Sequence, residues 1–371
     1  MPRAAETRVV AVYTTVQTGL FRMASFFLKL FSAAEPKLAT SSAARAPRKP
    51  EEILQAYESA GEVTRNNDLV WLARDASYWT DRCANTLARL RSDWAGNSER
   101  AKWPDVAGLL GQLSAPPEEV IRQLPAAARD AMALCERDNL PRAQLIDRLS
   151  QDPSLVQGLL RQANSASYGA GLAPILRVDS AIDRIGLAGT RSVVVAASVD
   201  GLLSKPGGAY DALLASAWQH MVNTGPLARA IAPAFGADGE EAFAIALLHN
   251  VGQLIIFDRI SSLRSSNRRA VALPDGWIDQ LITELHEPLG AVAAHRWGLG
   301  IDAADAIGTH HRRDTPAERH PLAETIFVAE HLANTTARGE SLDLFGLWEQ
   351  GELTGDPTYV RGILDRYQRG G

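Results

Sequence analysis

Apolar residues recur at helical spacing from Glu240 to Ile260. Phe243, Leu247, Val251 and Leu254 share one side, and Ile245, Leu248 and Ile255 widen it. A helix apolar nearly all round belongs inside a core. This one carries His249 and Asn250 within it. A buried imidazole beside a buried amide needs hydrogen-bonding partners, because unpaired polar groups in an apolar interior are costly. The pattern predicts a central helix around which the chain is organised.

A second stripe lies near the start. Val9, Tyr13, Val16, Leu20, Met23, Phe27 and Leu30 alternate in steps of four and three, a heptad-like seam over residues 8–31. Phe21, Phe26, Leu28 and Phe31 broaden it, while Arg22 and Lys29 interrupt it, which argues against a spanning helix. Three readings stand: a helix packed on the protein's own body, a homodimer through residues 9–30, and a peripheral membrane contact through residues 8–31. Residues 32–50 are small, polar and proline-bearing, so residues 1–50 read as a basic amphipathic helix plus a flexible linker. Residues 51–114 read as a helical region of unknown role, with Trp71, Trp79, Trp94 and Trp103 as packing material.

From Pro116 the punctuation sharpens. A helix is predicted over Glu118 to Glu136, another over Arg142 to Leu149, and a third from Asp152-Pro153, a cap followed by proline in the first turn. Ser180 to Ile185 reads as a short helix stopped by Gly186. The valine-rich run Arg191 to Leu203 fits helix or strand. No hairpin signal or run of alternating strands appears, so the fold class is all-α.

Composition narrows the function classes. Hydrophobic content of 46% supplies a globular core, and a net charge of −5 exerts no pull toward nucleic acid, so no nucleic-acid partner is expected. Residues 1–50 hold eight Lys/Arg against two Asp/Glu, and the remainder 30 against 41, which sets a basic arm apart from an acidic body. Cys83 and Cys135 form no metal or redox spacing, so a reduced cytoplasmic protein is expected, membrane-associated only if the N-terminal stripe meets lipid. All eight histidines fall between His220 and His331.

Four stretches then carry a resemblance: DPSLVQGLLRQANSASYG (152–169), DSAIDRIGLAGTRSVVV (179–195), AFAIALLHNVGQLIIF (242–257) and LHEPLGAVAAHRWGLGIDAADAIGTHHR (285–312). In this order they resemble an HDOD domain, the HD-related output domain of bacterial signalling proteins, over residues 115–340, with 341–371 left as a helical tail. The resemblance implies an all-helical HD-superfamily core preceded by a smaller helical subdomain. Catalytic relatives of that core are metal phosphohydrolases, including phosphodiesterases that cleave cyclic di-GMP. HDOD domains are regarded as lacking that activity and as acting through protein interaction.

By the same resemblance, His220, His249, His286, His310 and His311 match superfamily ligand positions, Asn250 stands where the HD aspartate would, and the last aspartate falls near Asn334. An amide has no formal charge, bridges cations poorly and cannot act as a base. The expectation is therefore a degenerate site with no catalytic residue and no cofactor, its histidines an inherited polar cluster. A single transition metal held by neutral imidazoles is the alternative. Glu287, Glu330 and His331 lie close enough in sequence to complicate the ligand count. His295 and His320 read as surface residues, and Arg312, Arg313 and Arg319 as a small basic patch open to a phosphate. Asn164-Ser165 reads as a structural helix end. The function expected is a non-catalytic signalling module with signalling proteins as partners. A divergent phosphohydrolase on a nucleotide or cyclic dinucleotide, and a nucleotide sensor without turnover, are the alternatives.

Overall fold

The computed structural model describes residues 74–135, 141–169, 172–202, 209–311, 320–338 and 343–370. The apolar stripe over 8–31, the linker over 32–50 and the arginines 312, 313 and 319 lie outside them. Helices and one 3₁₀ turn make up the ordered elements, with no strand among the described residues.

The chain enters through α1 (Ala76–Ala95) and α2 (Pro104–Leu113). Asp75 caps α1 by accepting from the Tyr78 N–H. Trp79, Leu87, Leu90 and Trp94 form the buried face of α1, and Trp94 meets Trp277 edge-on. These helices pack on later ones, α1 on α12 (Trp277–Arg296) and α2 on α11 (Val251–Asn267). Trp79, Trp94 and Trp103 are packing material, as expected, while Trp71 lies outside the described residues.

The predicted helix over Glu118 to Glu136 is two pieces, α3 (Pro117–Val120) and α4 (Ala126–Cys135). Pro125 explains the break: its ring forbids a helix interior and pushes the residue before it toward extended backbone. Ile121 and Leu124 in the break stay buried. Then come α5 (Arg142–Ser150), α6 (Pro153–Ala163), capped by Asp152 as predicted, and the short α7 (Ala166–Gly169). The valine-rich run resolves as helix, the second half of α8 (Val178–Leu202), which turns at Gly186 with φ +72°. It packs with α4, α5 and α6, Val193 and Ala197 of its second half lying against Gly158, and it also contacts α10 (Gly239–Ala246), so α8 joins the smaller helical layer to the main one.

The main layer holds α9 (Ala209–Ile231), a 3₁₀ turn (Ala232–Phe235), α10, α11, α12, α13 (Ile301–Thr309) and α14 (Pro321–Arg338). The stretch expected as one central helix is broken. Leu247 to Asn250 form a tight turn between α10 and α11, closed by short bonds from the Leu248 N–H to the Ile245 carbonyl and from Val251 to Leu248. The stretch 239–267 is long and apolar enough to cross a membrane, but 83% of its most apolar window is buried inside the fold. The tail, α15 (Leu344–Glu349) and α16 (Pro357–Gly370), packs back: Leu344, Leu353, Val360 and Ile363 are buried, and Trp348 stacks on Phe235.

Two glycines set the closest helix approach. A Cβ on Gly252 would lie 2.0 Å from the His286 carbonyl oxygen, and one on Gly290 would lie 2.8 Å from Ile307. The sequence reading of Gly252 as a close-packing residue holds. Gly252→Ala should therefore force α11 from α12 and cost about 2–4 kcal/mol in denaturant unfolding. Gly111→Ala, on an exposed helix position with nothing within 4 Å, should be neutral or stabilising by about 0.5–1 kcal/mol.

Candidate functional site

The α11–α12 crossing brings the histidines together. His249 sits in the turn before α11, three residues from Gly252, while His286 lies on α12 at the residue whose carbonyl Gly252 touches. α9 contributes His220, the end of α13 contributes His310 and His311, and α14 contributes Glu330. The rings form a chain: His220 to His249, His249 to His310, His310 to His286 and His311, each pair with centroids between 4.2 and 5.3 Å apart. His249, His286 and His310 are buried, and His220 and His311 are half-buried at the edge.

Tautomers follow from the backbone. The Nδ1 atoms of His249, His286 and His310 each lie 2.7 Å from a carbonyl oxygen, those of Ala246, Ile282 and Ile307. A carbonyl accepts only, so each Nδ1 carries the proton and each Nε2 is a bare lone pair when the ring is neutral. At His249 that lone pair is used: the Asn250 amide donates to it at 2.9 Å. The Asn250 carbonyl in turn accepts from the Gln253 amide, which fixes which end of Asn250 faces the ring. His249 thus has its one donor and one acceptor both engaged.

The other imidazoles differ. His286 Nε2 faces His310 Nε2 at 3.4 Å, two lone pairs that do not bond each other, and lies 3.1 Å from His311 Nε2, which can donate to it. The His311 backbone N–H donates to Glu287 at 2.9 Å, which holds this corner in place. Donor atoms of His286, His310 and His311 lie within 4.8 Å of one another, and so do those of His220, His249 and Glu330.

Two buried carboxylates flank the cluster: Glu330, 3.6 Å from both His220 and His311, and Glu287, 3.8 Å from His310 Nδ1. The sequence reading put the family's last acidic position near Asn334, one turn further along α14, where residue 334 is half-buried; the acid set against His220 and His311 is Glu330. The signal was legible, since 330 and 334 share a helix face. His331 instead bonds the Phe327 carbonyl and packs on that ring. His320 is buried rather than a surface residue, because its Nδ1 accepts from the Ala323 N–H at the start of α14, and His295 is half-buried. Asn164 does more than end its helix: its side chain bonds both the N–H and the carbonyl of Ile175 at 2.7 Å.

Charges separate by depth. Burial pushes His249 down to about 4, against the attraction of Glu330, and pushes His310 well below the usual imidazole range. Burial also works against the Glu330 anion, but the surrounding imidazoles, His220 foremost, outweigh it and hold its carboxyl well below the usual range.

The family model for the HDOD domain matches residues 121–313. This chain belongs to the HDOD family. The match covers the smaller helical layer and the crossing, and stops short of Glu330. Two solved structures from Shewanella amazonensis SB2B share the HDOD chain's fold. One, a "Putative metal-dependent phosphohydrolase", is 15% identical with a TM-score of 0.56 and covers 79% of this chain and 98% of its own. The other, a "Putative phosphohydrolase", is 22% identical with a TM-score of 0.50 and covers 71% and 96%. At such identities the likeness concerns fold alone. An uncharacterized protein of Treponema pallidum (strain Nichols) is 26% identical over 216 residues. That match takes in 56% of the HDOD chain and 41% of the relative, so the chain spans about two fifths of that protein's length. The all-helical HD-like fold and the HDOD domain both stand.

Acid should destabilise the fold. His249 and His320 are both pushed down to about 4 by burial, against about 6.5 when unfolded. The unfolded chain binds more protons between those values, so stability is full above about pH 6.5 and falls as pH drops toward 4. For His249 the full shift is worth on the order of 3 kcal/mol. Urea midpoints should decline from about pH 7 to about pH 5, with a shallower slope in His320→Gln.

Proposed function

We propose that this HDOD chain is a non-catalytic signalling module that acts by binding other proteins. The observation that carries the reading is the closed state of His249, whose Nδ1 donates to Ala246 and whose Nε2 accepts from Asn250. Nothing on that ring is left for a cation. An aspartate at 250 would instead set an anion against the lone pair and demand a positive charge between them. Dinuclear hydrolysis needs two clamped ions and charge-compensating carboxylates. Here one of the two donor sets contains the occupied His249, and the single acid within either set is Glu330. These residues do not fit a metal pair.

Protein binding is supported by a pinned loop on the smaller layer. Leu172 and Leu176 are 58% and 85% exposed, on a segment that Asn164 clamps at Ile175 and Arg184 holds at the Ala173 carbonyl. Ordered backbone that presents large apolar side chains to water is a mark of an interaction surface.

A second reading has its own observation. The Nε2 lone pairs of His286 and His310 face each other, with His311 beside them, and these three would suit one transition metal. Their Nδ1–H bonds to carbonyls orient the rings for it. Such an ion would supply a Lewis-acid or structural centre, with Glu287 holding the His311 backbone.

Elemental analysis of the purified chain is expected to find no more than one metal per protein. Turnover of a panel of nucleotides and cyclic dinucleotides should match buffer, and calorimetry with cyclic di-GMP should show no heat beyond dilution. Asn250→Asp should raise the metal content. Two metals in the native protein, with a phosphodiesterase activity that His249→Ala abolishes, would establish the divergent phosphohydrolase. Affinity capture from the native host should recover partners that are lost with Leu176→Asp.

A further inference from the structure

An apolar groove of ≈ 430 Å³ runs between α1, the α2–α3 connection and α12. Its floor is Leu87, Ile121, Leu289 and Val292, all buried. One wall is a single face of α1: Thr80, Ala84, Leu87, Ala88 and Arg91 line it at helical spacing over three turns, roughly 16 Å of rise. Ala84 and Ala88 are exposed and small, so a second helix can approach α1 closely there.

We propose that the groove is the docking site of this chain's own N-terminal segment, residues 9–30, bound in cis. Two observations select that occupant. The segment carries an apolar stripe in steps of three and four that needs an apolar cover. It also lies on the groove's own side of the chain, since the sequence that follows it leads directly into α1, the helix that forms the groove wall. Tethering keeps the segment at high local concentration, so binding in cis outcompetes a second copy unless the tether is too short to span.

Hydrogen exchange on the full chain tests this. Amides of residues 9–30 are expected to exchange at least about tenfold slower than free peptide, independent of protein concentration and without lipid. Ala84→Arg with Ala88→Arg should abolish that protection while the amides of α12 keep theirs; arginine is a good helix former, so α1 survives. Should α12 lose protection as well, Leu20→Asp with Phe27→Asp in the segment must give the same loss with the groove untouched. Fast exchange of 9–30 in the native chain, or slow exchange that both double variants leave unchanged, overturns the proposal. Protection that fades on dilution assigns the groove or the stripe to a second copy, and protection that appears only with anionic phosphatidylglycerol vesicles assigns the stripe to a membrane; either result overturns docking in cis.

Discussion

Everything in the main layer depends on the contact between Gly252 and the backbone of His286. With no side chain at 252, α11 lies against the α12 backbone, closer than a Cβ would permit. Gly290 extends the contact one turn on, against Ile307 of α13. The histidines sit at these crossings, so the site is a by-product of close packing. The approach also explains the break after α10. A continuous helix from 239 to 267 would carry His249 on helical backbone, whereas the turn at 247–250 frees its Nδ1 to bond Ala246 and aims Nε2 at Asn250.

Burying this much polarity demands closure of each hydrogen bond. His249 meets the demand with one donor and one acceptor, and Glu287 meets part of it at the His311 backbone. The anionic Glu330 draws on two half-buried rings at the edge, where water lowers the cost of charge. Polar clamps recur elsewhere: Asp105 receives Arg269 and the Ala272 N–H, and buried Asp258 receives Arg122. The first ties α2 to the α11–α12 connection and the second ties the residues after α3 to α11. Such pairs position elements more than they stabilise them, since desolvation offsets much of their attraction.

Local signals served well where they were local. Asp152-Pro153 capped its helix and Gly186 turned α8, because caps and positive φ are properties of one or two residues. Reading failed where an apolar run hid a break. Val120, Ile121, Leu124, Ala128 and Met132 kept a helical rhythm across Pro125, and Leu247 to Val251 kept it across the turn at His249. Burial rewards apolar side chains whatever the backbone does, so periodicity alone could not show either interruption.

By itself the sequence determined the fold class, the family, the set of histidines and the amide at position 250. Those are matters of residue type and spacing. Only the tertiary structure decided which nitrogen of each buried ring carries the proton, that Glu330 is set against the imidazoles, and that His320 is buried. A lone pair is aimed by the carbonyl opposite it, and those carbonyls, like the depth of a side chain, are fixed by how helices far apart in the chain come to rest on one another.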